Sequence, residues 1–244
     1  VDIGTGDAPR RSTGIGELDR VLGGGLVRGS MVLVGGPPGI GKSTLLLQVA
    51  GGSRPEWPVL YASGEESAEQ IALRARRLGL DPAAVLVLAS TSVEEVIEGA
   101  RATGAACLIV DSIQTMASEA VESAPGSPSQ LRESTARLIQ FAKTAGVAVV
   151  LVGHVTKEGI IAGPRMLEHM VDVVLYFEDE SGSRFRLLRA VKNRFGAANE
   201  LGVFAMADAG LREVRNPSAI FLSAPDQRVA GAAVTVLHQG TRPF

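Results

Sequence analysis

Residues 35–44 read Gly-Gly-Pro-Pro-Gly-Ile-Gly-Lys-Ser-Thr, and these types at this spacing predict a cradle for a polyphosphate. Gly36, the four residues Pro37, Pro38, Gly39 and Ile40, and then Gly41-Lys42-Ser43 complete a Walker A pattern, with Thr44 directly after it. Phosphate oxygens must be wrapped by backbone N–H groups. Glycines that can take positive φ allow this, and the N-terminus of a following helix adds partial positive charge. Lys42 is expected to reach the β- and γ-phosphates, and the Ser43 hydroxyl to ligate Mg²⁺. The chemistry implied is capture of a nucleoside triphosphate.

Leu108-Ile109-Val110-Asp111 fits the second half of such a site: an apolar strand ending in a carboxylate that holds Mg²⁺ through water, together with Ser43. Glu65 and Glu66 follow the run Val59–Ser63, read as a strand next to the phosphate loop, where a carboxylate can orient water against the γ-phosphate. Glu65 is the favoured base and Glu66 its partner. The alternative is that both only favour the N-terminus of a helix capped by Ser67. Ser112 is expected to bond locally. His154 directly follows an apolar run, Val147–Val152, and is placed to sense the γ-phosphate and report it to the loop behind. His169 and His238 lack that placement.

The elements that position these residues are legible as alternating segments. Strands are predicted at 31–34, 59–63, 85–88, 106–111 and 147–152, with helices beginning at Leu45 and after Ser67, and over 93–103 and 131–145. This order predicts an α/β fold, a largely parallel, doubly wound sheet. Further runs at 171–177, 184–192, 201–206 and 211–214 predict a C-terminal antiparallel extension. Residues 12–19 are expected to form a short helix capped by Ser12 or Thr13. The next helix but one, after Ser67, should expose Arg74, Arg76 and Arg77. Residues 117–129, small, polar and proline-bearing, are expected to be a mobile loop. Arg184, Arg186 and Arg189 read as a solvated strand face for at least two of the three.

Composition narrows the classes. The chain has 244 residues, 45% hydrophobic, enough for one large α/β domain. Its net charge of −2 gives no global attraction to nucleic acid, so such binding requires local patches. Cys107 is the only cysteine, which excludes a disulfide framework or a cysteine zinc site and suits a reducing cytoplasm. No run of eighteen uncharged apolar residues is present and the first residues have no signal-peptide pattern; a cytoplasmic location, with no membrane partner, is expected. A chain that starts at Val1 is expected to have lost upstream residues.

Together these residues resemble the bacterial RadA (Sms) family of recombination ATPases, within the RecA-like superfamily. The resemblance rests on Ser12 to Gly25, Ser63-Gly64-Glu65-Glu66-Ser67, Asp111 to Thr115, Gly153 to Gly159 and, most specifically, Lys192-Asn193-Arg194-Phe195-Gly196. It implies a RecA-like ATPase using ATP and Mg²⁺, forming a homo-oligomeric ring, expected to be a hexamer. It also implies binding of single-stranded or branched DNA and branch migration beside the RecA recombinase. In such rings ATP lies between subunits, and Lys192 and Arg194 look like the cations that a neighbour supplies to the γ-phosphate. DNA contact would fall on loops 117–129 and 156–165, through Lys157 and Arg165 in the second; the first has no Lys or Arg. The implied organisation is a flexible segment 1–12, an ATPase domain 13–223, and in 224–244 a linker and the first strand of a truncated Lon-protease-like domain. The family's four-cysteine zinc module is absent from this chain. A KaiC-like autokinase and a nucleotide-gated assembly module without hydrolysis remain open as alternatives.

Overall fold

The computed structural model describes residues 9–154, 164–179, 184–214, 238–239 and 242–243. In chain order the elements are β1 (Arg10–Arg11), α1 (Gly16–Leu22), β2 (Leu26–Val27), β3 (Met31–Gly36), α2 (Lys42–Gly51), β4 (Val59–Ser63), α3 (Ala68–Arg77), β5 (Leu86–Ala89), α4 (Val93–Ala102), β6 (Cys107–Asp111), α5 (Pro128–Ala145), β7 (Ala148–His154) and α6 (Pro164–Leu167). They continue with β8 (Val173–Asp179), β9 (Phe185–Asn193), β10 (Leu201–Ala207), β11 (Gly210–Glu213), β12 (His238–Gln239) and β13 (Arg242–Pro243).

Nine strands form one sheet in the order β11-β10-β9-β8-β3-β7-β6-β4-β5. The six strands from β8 to β5 run parallel, and β9, β10 and β11 continue antiparallel. The expected architecture is therefore present. Side-chain alternation along the buried strands produces two cores. Val32 and Val34 join Leu45, Leu47, Tyr61, Ile109 and Val150 beneath α1, α2 and α3. Met31 and Leu33 join Leu60, Leu108, Leu151 and Phe141 beneath α4 and α5. A sheet covered on both faces requires such continuous apolar strands.

Two expectations are corrected by this topology. The strand that carries Glu65 is not next to the phosphate-loop strand: β6 and β7 lie between β4 and β3. The Ser12–Asp19 helix begins later, at Gly16, with Ile15 as an N-cap lacking a side-chain bond. Asp19 has drawn both candidate caps to itself: its Oδ1 accepts from the Thr13 amide and hydroxyl, each at 2.8 Å, and its Oδ2 from the Ser12 hydroxyl at 2.5 Å. Competition of this kind between a side chain and a helix terminus is local chemistry that spacing alone does not rank.

Loop 117–129 is tied down rather than free, because Gln130 reaches back from α5. Its Nε2 donates to the carbonyls of Ser118, Val121 and Ser123 at 3.1, 2.8 and 3.1 Å, and its Oε1 accepts from the Ser118 amide at 2.9 Å. The last part of the predicted loop is already helix, capped by Ser127 with Pro128 in the first turn. Of the C-terminal segment, 238–239 pairs with 242–243. The rest of 224–244, like loop residues 155–163 with Lys157, lies outside the described residues.

Candidate functional site

The phosphate loop leaves β3 at the centre of the sheet, flanked by β7 and β8, where strand order reverses. Ligands of open α/β sheets bind at such a point, beyond the carboxyl ends of the strands. Gly36 has φ of +148° and Gly41 +119°, values that L side chains rarely adopt. A Cβ on Gly41 would also lie 3.1 Å from both Leu211 Cδ1 and Met206 Cε, because the β10–β11 hairpin packs against the start of α2. Gln48 fastens that hairpin with paired bonds of 3.1 Å to the Leu211 amide and carbonyl. Within the loop Ile40 is buried in the core while Pro38 and Gly39 stand exposed.

Lys42 is buried, and its Nζ donates to the carbonyls of Gly36 and Pro37 at 2.8 and 2.9 Å. Burial lowers its pKa from 10.5 to about 8, against the opposing pull of Asp111 and Glu65. No acidic residue occupies the first turn of α2 and its N-cap makes no side-chain bond. Its leading N–H groups therefore meet no anion from the helix's own first turn, in which Ser43 and Thr44 are half-buried.

Asp111, at the end of β6, is 4% exposed, and its two oxygens differ. Oδ2 accepts a hydrogen bond from the hydroxyl of the fully buried Tyr61, whereas Oδ1 is buried without a partner among the described residues. Burial and the adjacent Asp111 raise the Tyr61 pKa well above 10.0, so it stays a donor. An orphaned buried carboxylate oxygen beside a glycine loop and an ammonium fits a hard cation bound with a polyphosphate. Asp111 and Ser43 are the residues placed to hold Mg²⁺, which would supply charge neutralisation, with Lys42 and the loop amides on the phosphates of ATP.

The carboxylates after β4 are positioned by Ser63, whose hydroxyl accepts from the amides of Glu65 and Glu66 at 3.3 and 3.0 Å. This turn carries Glu65 across the carboxyl ends of the intervening strands. Gly64 is required there, since a Cβ would lie 2.2 Å from Thr115 Oγ1. Glu65 Oε1 lies 3.0 Å from His154 Nε2 and accepts a bond from Ser112 Oγ. The bond with His154 is the main reason its pKa falls from 4.5 to about 2; Ser112 and Lys42 add to it, and burial opposes it. Glu66 diverges: it forms an ion pair with Arg74 of α3. Arg74 is thus a partner of the site, while Arg76 and Arg77 are exposed as expected.

His154 ends β7, paired with Gly36 of the phosphate-loop strand. Gln114 donates to the His154 carbonyl at 3.2 Å, and His154 Nδ1 is buried without a partner among the described residues. The structure therefore brings Lys42, Asp111, Glu65 and His154 together. Tyr61, Ser63, Arg74 and Gln114 are site residues that the sequence reasoning missed, and the local role given to Ser112 extends to Glu65. Ser63 at the end of a strand before two acids carried a usable signal; Tyr61 did not, since an aromatic in an apolar strand reads as core.

Lys192 and Arg194 stand elsewhere. Lys192 pairs with Val174, which pairs with Leu33, so it lies level with the lower half of β3. That is about 10 Å below the phosphate loop and two strands, about 10 Å, to its side. Lys192 Nζ donates to the carbonyls of Glu168 and Val171 at 2.8 and 2.7 Å, and Arg194 pairs with Asp172 at 3.1 Å. Burial first, then Arg194, lowers the Lys192 pKa. The segment is fastened to α1 and β1: Asn193 Nδ2 donates to the Val21 carbonyl at 3.4 Å, and Arg10 to that of Phe195. Phe195 packs on the core. Arg189 is paired bidentately with Glu178, and Arg184 lies 5.2 Å over the Phe185 ring. Arg165 falls in α6, its side chain outside the described residues.

No described helix is long and apolar enough to cross a membrane. A family model described as an AAA domain matches residues 8–160. The chain is 57% identical over 243 residues to a DNA repair protein RadA of Pseudomonas aeruginosa, covering 100% of this chain and 54% of that protein. Identity is 54% to the RadA of Bacillus subtilis, with 99% and 53% covered, and 53% to that of Escherichia coli, with 100% and 53% covered. The chain spans about half the length of the curated relatives it matches. A crystal structure of the RadB recombinase superposes with a TM-score of 0.61 at 23% identity, covering 84% of this chain and 99% of that one, a likeness of fold. On its sheet order, its phosphate loop and these matches, the chain belongs to the AAA-domain family with a RecA-like fold, in the RadA branch.

Proposed function

We propose that this chain is the ATP-hydrolysing core of a DNA recombination and repair motor. The observation that carries the reading is the convergence of Lys42, Asp111, Glu65 and His154 at the carboxyl ends of four different strands, over a glycine loop. Lys42, Ser43, Thr44 and the amides of Gly36 to Gly41 bind the phosphates, and Asp111 with Ser43 holds Mg²⁺. Glu65 orients the attacking water, and the Glu66–Arg74 pair fixes the turn that presents it. His154 exchanges its bond with Glu65 for one with the γ-phosphate and passes that change to residues 155–163. The pairing of Lys192 and Arg194 far from their own loop supports action on a neighbouring subunit's ATP, in a ring expected to be a hexamer. Single-stranded or branched DNA, contacted through Lys157 and Arg165, and a RecA partner complete the reading, with branch migration as the work done.

Subunit mixing tests it. Glu65→Gln and Lys192→Ala each lose phosphate release alone, whereas a mixture recovers part of it, because some interfaces join an intact Glu65 to an intact Lys192. Single-stranded DNA stimulates the recovered rate. A mixture as inactive as its parents refutes the shared site. Phosphate retained on the protein instead of released identifies the autokinase, and tight ATP binding with no turnover identifies the assembly module.

A further inference from the structure

We propose that Glu65, Asp111 and His154 also form a cation site for a divalent ion that accepts imidazole nitrogen, such as Zn²⁺ or Co²⁺, filled when no nucleotide is bound. One ligand atom from each of the three lies within 4.8 Å of the others. The His154 Nε2 to Glu65 Oε1 separation of 3.0 Å is within about half an ångström of the ~3.4 Å edge between two ligands of a tetrahedral ion with bonds of about 2.1 Å. The third member, Asp111, has one oxygen, Oδ1, that is buried without a partner among the described residues, while Tyr61 donates to the other. Closing the cluster requires its most widely spaced atoms to approach by up to about 1.4 Å, since any two ligands of a tetrahedral ion stand about 3.4 Å apart.

The charges balance. Two carboxylates and a neutral imidazole carry −2, which one divalent ion cancels, and the opposing Lys42 ammonium is held on the carbonyls of Gly36 and Pro37. Binding through Nε2 places the imidazole proton on Nδ1, which makes no hydrogen bond among the described residues. Imidazole with carboxylates favours Zn²⁺ and Co²⁺ over Mg²⁺; because Asp111 belongs to both sites, the ion bound here and the Mg²⁺ of Ser43 and Asp111 exclude each other. An ion there takes up the lone pair that Glu65 needs to orient water, so it holds the protein inactive. This last step rests on the proposed hydrolysis; the binding does not.

The test is titration of the nucleotide-free protein with Co²⁺ in excess Mg²⁺, followed by visible d–d absorption and calorimetry. One ion binds per chain, and His154→Gln, which keeps a donor toward Glu65, lowers its affinity more than about tenfold. His169→Gln leaves it unchanged, and circular dichroism confirms that both variants fold. Absence of Co²⁺ binding, displacement by Mg²⁺ at equal concentration, or an unchanged affinity in His154→Gln each overturns the site. Binding as expected in a protein that releases no phosphate would preserve the site and reject the hydrolytic reading.

Discussion

Replacing Lys42 with Met is expected to stabilise the nucleotide-free protein while abolishing its response to ATP. Burial lowers the lysine from 10.5 to about 8. At about 1.36 kcal/mol per pH unit, keeping the ammonium charged in the fold costs roughly 3 kcal/mol at neutral pH. Met keeps the length and gives up two hydrogen bonds, to Gly36 and Pro37, worth roughly 1 kcal/mol each. The net gain is about 1 kcal/mol, or roughly 2–4 °C in Tm for a domain of this size. The sign with pH follows from which state binds the proton. Below about pH 8 both states are protonated and the cost is fully present. Between about 8 and 10.5 only the unfolded chain keeps the proton, so wild type gains on the variant as pH rises. Chemical denaturation of both proteins from about pH 7 to about pH 10, with and without MgATP, reads all of this. ATP at a hundred times its Kd adds about 2.7 kcal/mol to wild type and nothing to the variant. A Met variant less stable than wild type at neutral pH, or a difference that stays flat with pH, refutes the reasoning that the ammonium is held at a cost which the triphosphate relieves.

Tyr61→Phe removes the donor to Asp111 Oδ2 in an otherwise apolar setting; the Mg²⁺ requirement for ATP binding should rise about five- to tenfold, measured by Mg²⁺ titration, with the fold intact. Because Glu65 is held at about 2 chiefly by His154 in the nucleotide-free protein, its carboxylate, followed by infrared or NMR titration without nucleotide, should stay ionised down to about pH 3, and His154→Ala should bring its protonation up toward the ordinary carboxylate range. Gly35→Ala would place a Cβ 2.3 Å from the Tyr176 ring, and should destabilise the protein by about 1–3 kcal/mol in thermal unfolding. Gln130→Ala removes four hydrogen bonds to loop 118–123, so those amides should exchange faster while the sheet amides do not.

What the sequence displayed best was whatever depends on period and on local chemistry. Apolar runs such as Leu108–Val110 had to be strands covered on both faces, and the glycines at 36 and 41 had to be there for φ values that other residues resist. Spatial order across the sheet was less legible. Nothing in Val59–Ser63 states that two strands will intervene before the phosphate loop, because sheet order is decided by which crossovers bury both faces. The roles of Tyr61 and Arg74 were hidden for a related reason: each is an ordinary residue of its element, apolar strand or charged helix, until a carboxylate is brought beside it, Asp111 from β6 to Tyr61 and Glu66 from the turn before α3 to Arg74.

That displacement of Glu65 from the phosphate strand has a consequence for coupling. A base on an adjacent strand would be set by that strand alone. Glu65 instead reaches the site on a turn fixed by Ser63, and its carboxylate is held by Ser112 from the end of β6 and by His154 from the end of β7. Gln114, one residue after Ile113 in the same connection, holds the His154 carbonyl in turn. A shift in residues 155–163, which begin directly after His154, therefore acts on Glu65 through one hydrogen bond, and the low pKa that this bond imposes is the quantity that would change. On the proposed function, a contact on that loop acts on catalysis through this bond. Replacing His154, on the same proposal, uncouples that loop from Glu65, so that a stimulation of phosphate release by single-stranded DNA, measured against wild type, is lost.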